Sequence, residues 1–424
     1  MREIIKVPNI HEQYIKVKHS SGLTVFMCPL EGYSSLYAQF SARYGSLDTS
    51  FRTGPNDGYK RVPAGIAHFL EHKMFEDEDG DAFQKFGQYG ASANAFTSFD
   101  RTCYEVLCTD HFMSSLELLI KMVTGPYFTD ESVQKEQGII GQEITMFQDN
   151  PDWRVYFNLL RALYHIHPIT IDIAGTTQSI GLINKELLYD CYDTFYNLNN
   201  MVLSVSGKFD PEQVLALCDK LLVPAKEALI GREPVEEPEA IRTNFTSQSL
   251  PVSLPMFEIG YKNAPYVENE KIRKSLVNDI VLEILAGEGS PLYSKLYNSG
   301  LIADSFDYEG MVERGMCCNV FSGESAQPQT VLDEVAKEIE KAKKKGVDAK
   351  DFERVKKNFY GRLVMAYNNV ESIANAMTSA FIENHAAFEA LSILEELDID
   401  EVQDALNYHF DGDKMSLSII EPKA

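Results

Sequence analysis

The chain has 424 residues, 44% of them hydrophobic and 24% charged, and a formal net charge of −24 at pH 7. That length accommodates two domains of ordinary size. The acidic balance argues against nucleic acid and anionic membrane surfaces as partners. The opening residues, MREIIKVPNIHEQYIKVKHS, carry early charges and no apolar signal core, and no apolar run reaches the length of a bilayer. The seven cysteines are scattered apart from Cys317 and Cys318 and form no C-x-x-C pattern. They read as core thiols of a reducing compartment, so the expected localisation is cytoplasmic.

In chain order, GLTVFMCPL and SLYAQFSARYGSL read as strands. An apolar helix follows at AGIAHFLEHKMF. SANAFTSFDRTCYEVLCT reads as two β-rich runs around the turn SFDR. MSSLELLIKMVT is an amphipathic helix stopped by Gly125-Pro126. A further helix over 130–148 has Thr129 or Asp130 as its N-cap. MVLSVSGKFDPEQVLALCDKLL reads as strand, turn and helix, with Asp210 as cap and Pro211 at the first helical position.

Residues 223–250 carry three prolines, five glutamates and no apolar period, and read as a linker. The second half then repeats the order of the first: a strand in SLPMFEIGYK, helices through SPLYSKLY, strands in DSFDYEGMVERGMCCNVFSGES, two long helical stretches, and a closing strand in KMSLSIIEP. The pattern is α+β with two similar, duplicated halves. The expected division is an N-terminal domain over 1–222, a linker over 223–250, and a C-terminal domain over 251–424 of similar fold without a metal site. The Lys-rich stretch 341–345 reads as a solvated helix end.

The helix AGIAHFLEHKMF places His68, Glu71 and His72 inside an apolar run. His68 and His72 are four apart and share one helix face, so both imidazoles can meet one ion, with Glu71 beside them. Imidazole suits zinc, a catalytic zinc keeps a position for water, and a nearby carboxylate can take that water's proton. Zinc held by two histidines needs a third protein ligand. Glu136 and Glu143 lie on one face of the 130–148 helix, among Ile139, Ile140, Ile144 and Met146. His165 and His167, in YHIHP, are weaker candidates, and Glu76 to Asp79 read as a solvated turn.

GIAHFLEHKMF, GASANAFTSFDRTCYE and EQGIIGQEI together resemble the M16 metallopeptidases, the pitrilysin and mitochondrial-processing-peptidase group, and within it the short two-domain subfamily. The resemblance covers nearly the whole chain. It implies two α/β-sandwich halves, each a sheet covered by helices, forming a clam-like cleft. It implies a zinc endopeptidase of extended or unfolded peptides, with one Zn2+ per chain. His68, His72 and Glu143 match the family's metal ligands, Glu71 its general base, and Glu136 an assisting glutamate behind the metal. Asn94, Ala95, Phe96 and Thr97 match the edge strand that pairs with the substrate backbone.

The resemblance breaks in the second half. There an Arg and a Tyr should grip the peptide carbonyl as an oxyanion hole. Leu296, Gly300 and Leu301 keep the frame, but Tyr297 takes the Arg position and Ala303 or Asp304 the Tyr position. Tyr308 and Arg314 stand nearby at the wrong spacing. The chain therefore reads as the zinc-bearing member of a pair, with a second M16-like chain, or a second copy of itself, supplying Arg and Tyr. A non-catalytic peptide-binding or structural subunit of the same family is the alternative.

Overall fold

The computed structural model describes residues 2–7, 10, 12–78, 80–303 and 305–423; Asp79 and Asp304 lie outside them. The first elements are strands β1 (Arg2–Val7), β2 (Glu12–Lys18), β3 (Thr24–Pro29), β4 (Leu36–Ala42), β5 (Ser50–Arg52) and β6 (Lys60–Arg61). Helix α1 (Ile66–Lys73), strands β7 (Glu76–Asp77) and β8 (Gly80–Asp81), helix α2 (Ala82–Gln88) and the hairpin of β9 (Ser92–Thr97) and β10 (Thr102–Cys108) follow. Then come helices α3 (Phe112–Thr124), α4 (Asp130–Asp149), α5 (Pro151–Leu163), α6 (Thr177–Ile180) and α7 (Lys185–Phe195), strand β11 (Met201–Gly207) and helix α8 (Pro211–Leu221).

After these lie β12 (Gly231–Arg232), β13 (Phe245–Leu250), β14 (Met256–Asn263), α9 (Lys271–Ala286), α10 (Pro291–Asn298), β15 (Phe306–Glu313) and β16 (Met316–Glu324). Helices α11 (Pro328–Lys345), α12 (Ala349–Ala366), α13 (Val370–Ile382), α14 (Glu389–Glu396) and α15 (Ile399–Tyr408) precede the last strand, β17 (Met415–Pro422).

The chain forms two compact units, each discontinuous in sequence. The first comprises Met1–Ile144, Asp172–Glu233 and Val364–Phe388; the second comprises Thr145–Ile171, Pro234–Leu363 and Glu389–Ala424. The first holds a seven-stranded sheet, β1-β2-β3-β11-β4-β10-β9, and the second a five-stranded sheet, β13-β17-β14-β16-β15. The duplication is visible strand by strand. Numbered along the chain from β3 and from β13, the shared five strands run 1-5-2-4-3 in both sheets, with the 1–5 pair parallel and the others antiparallel.

Helix packing is what breaks sequence order. Helix α5 precedes β11 in sequence yet covers β17, β14 and β13 of the second unit, while α13 precedes β17 yet covers β11, β4 and β3 of the first. The units therefore do not coincide with the segments 1–222 and 251–424. An apolar helix stripe records that a face is buried, not which sheet buries it. The stretch 223–250 also contributes two strands, β12 beside β5 and β13 beside β17. The Phe245–Leu250 side chains are half-exposed or exposed, so backbone pairing rather than an apolar alternation makes that strand. One core gathers Tyr14, Phe26, Val202, Ile373 and Met377 in the first unit; another gathers Phe257, Ile259, Phe321, Val281 and Leu285 in the second. No helix among the described residues is long and apolar enough to cross a membrane.

Candidate metal centre

Helix α1 is buried along almost its whole length: Ile66, Ala67, Phe69 and Leu70 pack inward, and His68, Glu71 and Lys73 are buried with them. Its entry is fixed by backbone against backbone. Gly65 has φ 88°, and a Cβ there would stand 2.4 Å from the Ala174 carbonyl oxygen. Gly175 has φ 77°, and a Cβ there would stand 2.5 Å from the Ala64 carbonyl oxygen. Only glycine adopts these angles freely and admits so close an approach. The Ser179 hydroxyl donates to the same Ala64 carbonyl at 2.8 Å.

His68 and His72 face the glutamate of α4. His68 Nε2 lies 3.6 Å from Glu143 Oε1, and His72 Nε2 lies 3.5 Å from Glu143 Oε2. Tetrahedral ligands at ordinary zinc distances are separated by about 3.3–3.6 Å, a spacing these two contacts match, and one ligand atom from each of the three side chains lies within 4.8 Å of the others. Among the described residues they are the only three metal-ligating side chains close enough to share an ion. His72 Nδ1 donates to Glu136 Oε1 at 2.9 Å, which leaves Nε2 as its metal-facing nitrogen. His68 Nδ1 is buried with no hydrogen-bond partner among the described residues. The sides of His72 and Glu143 remain partly open, 25% and 24% exposed, where water can enter.

Electrostatics separates the two imidazoles. Burial, reinforced by neighbouring His72, drives His68 down to about 3, so it is neutral and offers a lone pair. Burial also pushes His72 down, but the hydrogen bond to Glu136 and the charges of Glu71, Glu136 and Glu143 outweigh it and hold it above its usual value. Burial raises Glu71, against a lowering hydrogen bond from Thr97 and the charge of His72. Burial raises Glu143 too, against His72 and with Asp172 and Glu136. A cation at the centre of these groups would relieve the carboxylates' shared repulsion.

The edge strand β9 lies against α1. Its pairing with β10 sets Ala95 opposite Tyr104 and Asn94 opposite Glu105, so Ala95 and Thr97 share one face and Asn94 and Phe96 the other. Thr97 was expected among substrate-contacting residues. Its hydroxyl donates to Glu71 Oε2 at 2.7 Å, tying the strand to the carboxylate beside the histidines. Asn94 Nδ2 donates to Glu105 Oε1 at 3.3 Å, and Glu105 also accepts from the Tyr37 hydroxyl. Alternation makes the face of Thr97 readable in sequence; its partner, Glu105 and the Gly175 contact are not.

Other sequence candidates are placed elsewhere. His167 Nδ1 accepts from the Ile169 amide and Nε2 donates to the Arg314 carbonyl, so both ring nitrogens are used. Glu76 accepts from Lys73 and Lys135. The buried stripe of α4 is Val133, Glu136, Ile140 and Ile144; Ile139 and Met146, expected on a buried face, are 44% and 60% exposed. In the second unit Tyr297 is 52% exposed, and the Tyr308 hydroxyl donates to Glu283.

The chain is similar to known proteins over nearly its whole length. Residues 60–177 match Insulinase (Peptidase family M16), and residues 182–359 match Peptidase M16 inactive domain. The uncharacterized zinc protease YmfH of Bacillus subtilis is 37% identical, covering 99% of each chain. The crystal structure of an M16-like peptidase from Alicyclobacillus acidocaldarius is similar at TM-score 0.94 and 32% identity, over 99% of this chain and 100% of that one. A protease structure from Helicobacter pylori shares the fold at TM-score 0.84 and 20% identity, over 97% of this chain and 100% of that one.

Proposed function

We propose, because the chain belongs to peptidase family M16, that it is a zinc-dependent endopeptidase of extended or unfolded peptides, with one zinc per chain held by His68, His72 and Glu143. The observation that carries this reading is the meeting of two imidazoles and one carboxylate at zinc-ligand separations, with Glu71 buried beside them. When bound, the metal supplies Lewis-acid polarisation of the scissile carbonyl and acidifies water. Glu71 takes the proton of that water and delivers it to the leaving amine. Thr97 holds the Glu71 carboxylate, and Glu136 fixes the tautomer of His72. The substrate adds as a strand along Asn94–Thr97, since β9 ends its sheet and pairs only with β10 among the described residues.

The duplicated segments 1–222 and 251–424, joined through 223–250, are in this reading the catalytic half and its metal-free counterpart. All seven cysteines are buried and free, which supports a reducing, cytoplasmic location. Tyr297, and Ala303 or Asp304, take the sequence positions at which an arginine and a tyrosine would complete the oxyanion hole, which supports a two-chain assembly.

Two experiments test this. Glu71→Gln should keep one zinc and lose roughly a hundred- to ten-thousand-fold in peptide hydrolysis, while His68→Ala should lose the metal. Full turnover in Glu71→Gln, measured on an unstructured peptide beside elemental analysis, would overturn its role. The lone chain should be about a hundred- to a thousand-fold slower than its mixture with an M16 chain bearing Arg and Tyr. Equal rates would refute the two-chain reading.

A further inference from the structure

The second unit contains a cavity of about 760 Å³, lined by residues of β14, β15, β16, α5, α9 and α12. Its wall carries six carboxylates, those of Asp152, Glu258, Glu283, Glu288, Asp307 and Glu324, against one guanidinium, that of Arg362. Arg362 already has a partner: its Nη2 lies 3.3 Å from Glu283 Oε2, and the Tyr308 hydroxyl donates to the same residue. Glu258 is different. It is 8% exposed, and its Oε2 has no hydrogen-bond partner among the described residues. A buried carboxylate oxygen left without a donor is costly, and such a group lining a cavity calls for a ligand that donates hydrogen bonds.

The geometry also says which donor. These carboxylates do not converge as metal ligands do; the only such cluster among the described residues is at His68, His72 and Glu143. The volume is that of a site for an organic molecule rather than for a bare ion. We propose that this cavity binds an organic cation, an ammonium or guanidinium head group, that hydrogen-bonds Glu258. Burial, with the nearby charges of Glu309 and Asp152, raises Glu258 to about 8. A bound cation would restore the carboxylate and supply its missing donor. The head group can come from a lysine or arginine of a peptide or from a free polyamine. The inference does not depend on the metal centre or on peptidase activity.

The test is calorimetric titration of the full chain carrying Glu71→Gln, so that peptide is not consumed. The probes are a blocked, unstructured hexapeptide with two arginines, the same peptide with citrulline at both positions, spermidine, and Mg2+. Binding of the arginine peptide or of spermidine is expected, and citrulline should abolish the peptide's share. Spermidine binding without peptide binding assigns the head group to free polyamines, and the reverse assigns it to peptides. Glu258→Gln should weaken binding about tenfold or more, since it removes a charge-assisted bond. Ser322→Lys, directly opposite Glu258 on β16, places a cation of the chain's own in the cavity and should block binding in a folded protein. Equal binding of the citrulline peptide, full affinity in both variants, no binding of either cation, or displacement of the cation by Mg2+ would each overturn the proposal.

Discussion

Both sheets meet a helix drawn from the opposite half of the sequence, and both present polar side chains to it. In the first unit the body of α13 meets the sheet through neutral contacts, while at its C-terminal end Arg101 donates to Ser379 Oγ and Glu383 Oε1. Gln39 Nε2 donates to Asn375 Oδ1 at 2.7 Å, the Thr378 hydroxyl donates to Ser204 Oγ at 2.9 Å, and the Ser206 hydroxyl donates to the Val370 carbonyl. In the second unit the Ser418 hydroxyl likewise donates to the Val155 carbonyl of α5, but β14 also places charged groups under that helix. Lys262 Nζ donates to the carbonyls of Leu163, Pro238 and Ala240 and to Glu237 Oε1, all within 3.1 Å, while Glu258 on the same face of β14 keeps an unpartnered oxygen. A duplicated frame thus fixes where a helix docks without fixing the chemistry of docking. The same holds for the edge strands: Thr97 of β9 donates to Glu71 of α1, and Tyr308 of β15 donates to Glu283 of α9, but only α1 carries histidines.

The sharpest way to break this comparison is Lys262→Met. It leaves Glu237 with only its three amide donors and three carbonyls without the ammonium, and should cost about 3 kcal/mol in urea unfolding. A loss below about 1 kcal/mol would mean that the Lys262 contacts add little to the docking of α5. Next is Glu258→Gln, whose effect depends on pH. Glu258 is raised from 4.5 to about 8. Between those values the folded chain holds a proton that the unfolded chain has released. Its contribution is therefore complete below pH 4.5 and is lost as pH rises through about 8. Glu258→Gln should gain up to a few kcal/mol over wild type at pH 9 and little at pH 5, measured by thermal unfolding at both. A gain equal at both pH values would remove the ionisation argument. The smallest effects belong to the edge strands. Thr97→Val should lower turnover about tenfold with zinc retained. Tyr308→Phe should cost about 1 kcal/mol of stability and leave metal content and turnover unchanged. Equal loss of turnover in the two variants would erase the functional difference between the strands.

Much of the first unit's chemistry was legible because helical spacing is short-range. The i, i+4 histidines, the helix bearing Glu143 and the hairpin around SFDR follow from periods of 3.6 and 2. The N-cap choice between Thr129 and Asp130 resolves to Thr129, whose hydroxyl accepts from the Ser132 amide. What local pattern cannot carry is partnership at a distance. Nothing in PDWRVYFNLLRAL says that α5 belongs with β14, and nothing in MFEIGYK says that Glu258 and Lys262 point under a helix rather than into water. β1 and β2 were missed because their REIIKV and EQYIKVK mix charge with apolar residues too evenly to stand out. β12 and β13 hid in a stretch whose prolines and glutamates read as connection.

The glycine lock at the entry of α1 bears on what can be rebuilt here. Gly65 and Gly175 set the entry of the helix by main-chain contact, independently of which side chains stand at 68, 71 and 72. Those three positions form a mount that an engineer could refit, with cysteine for histidine or a different base at 71, while the two glycines stay untouched. Neither glycine could be changed alone without moving the mount itself.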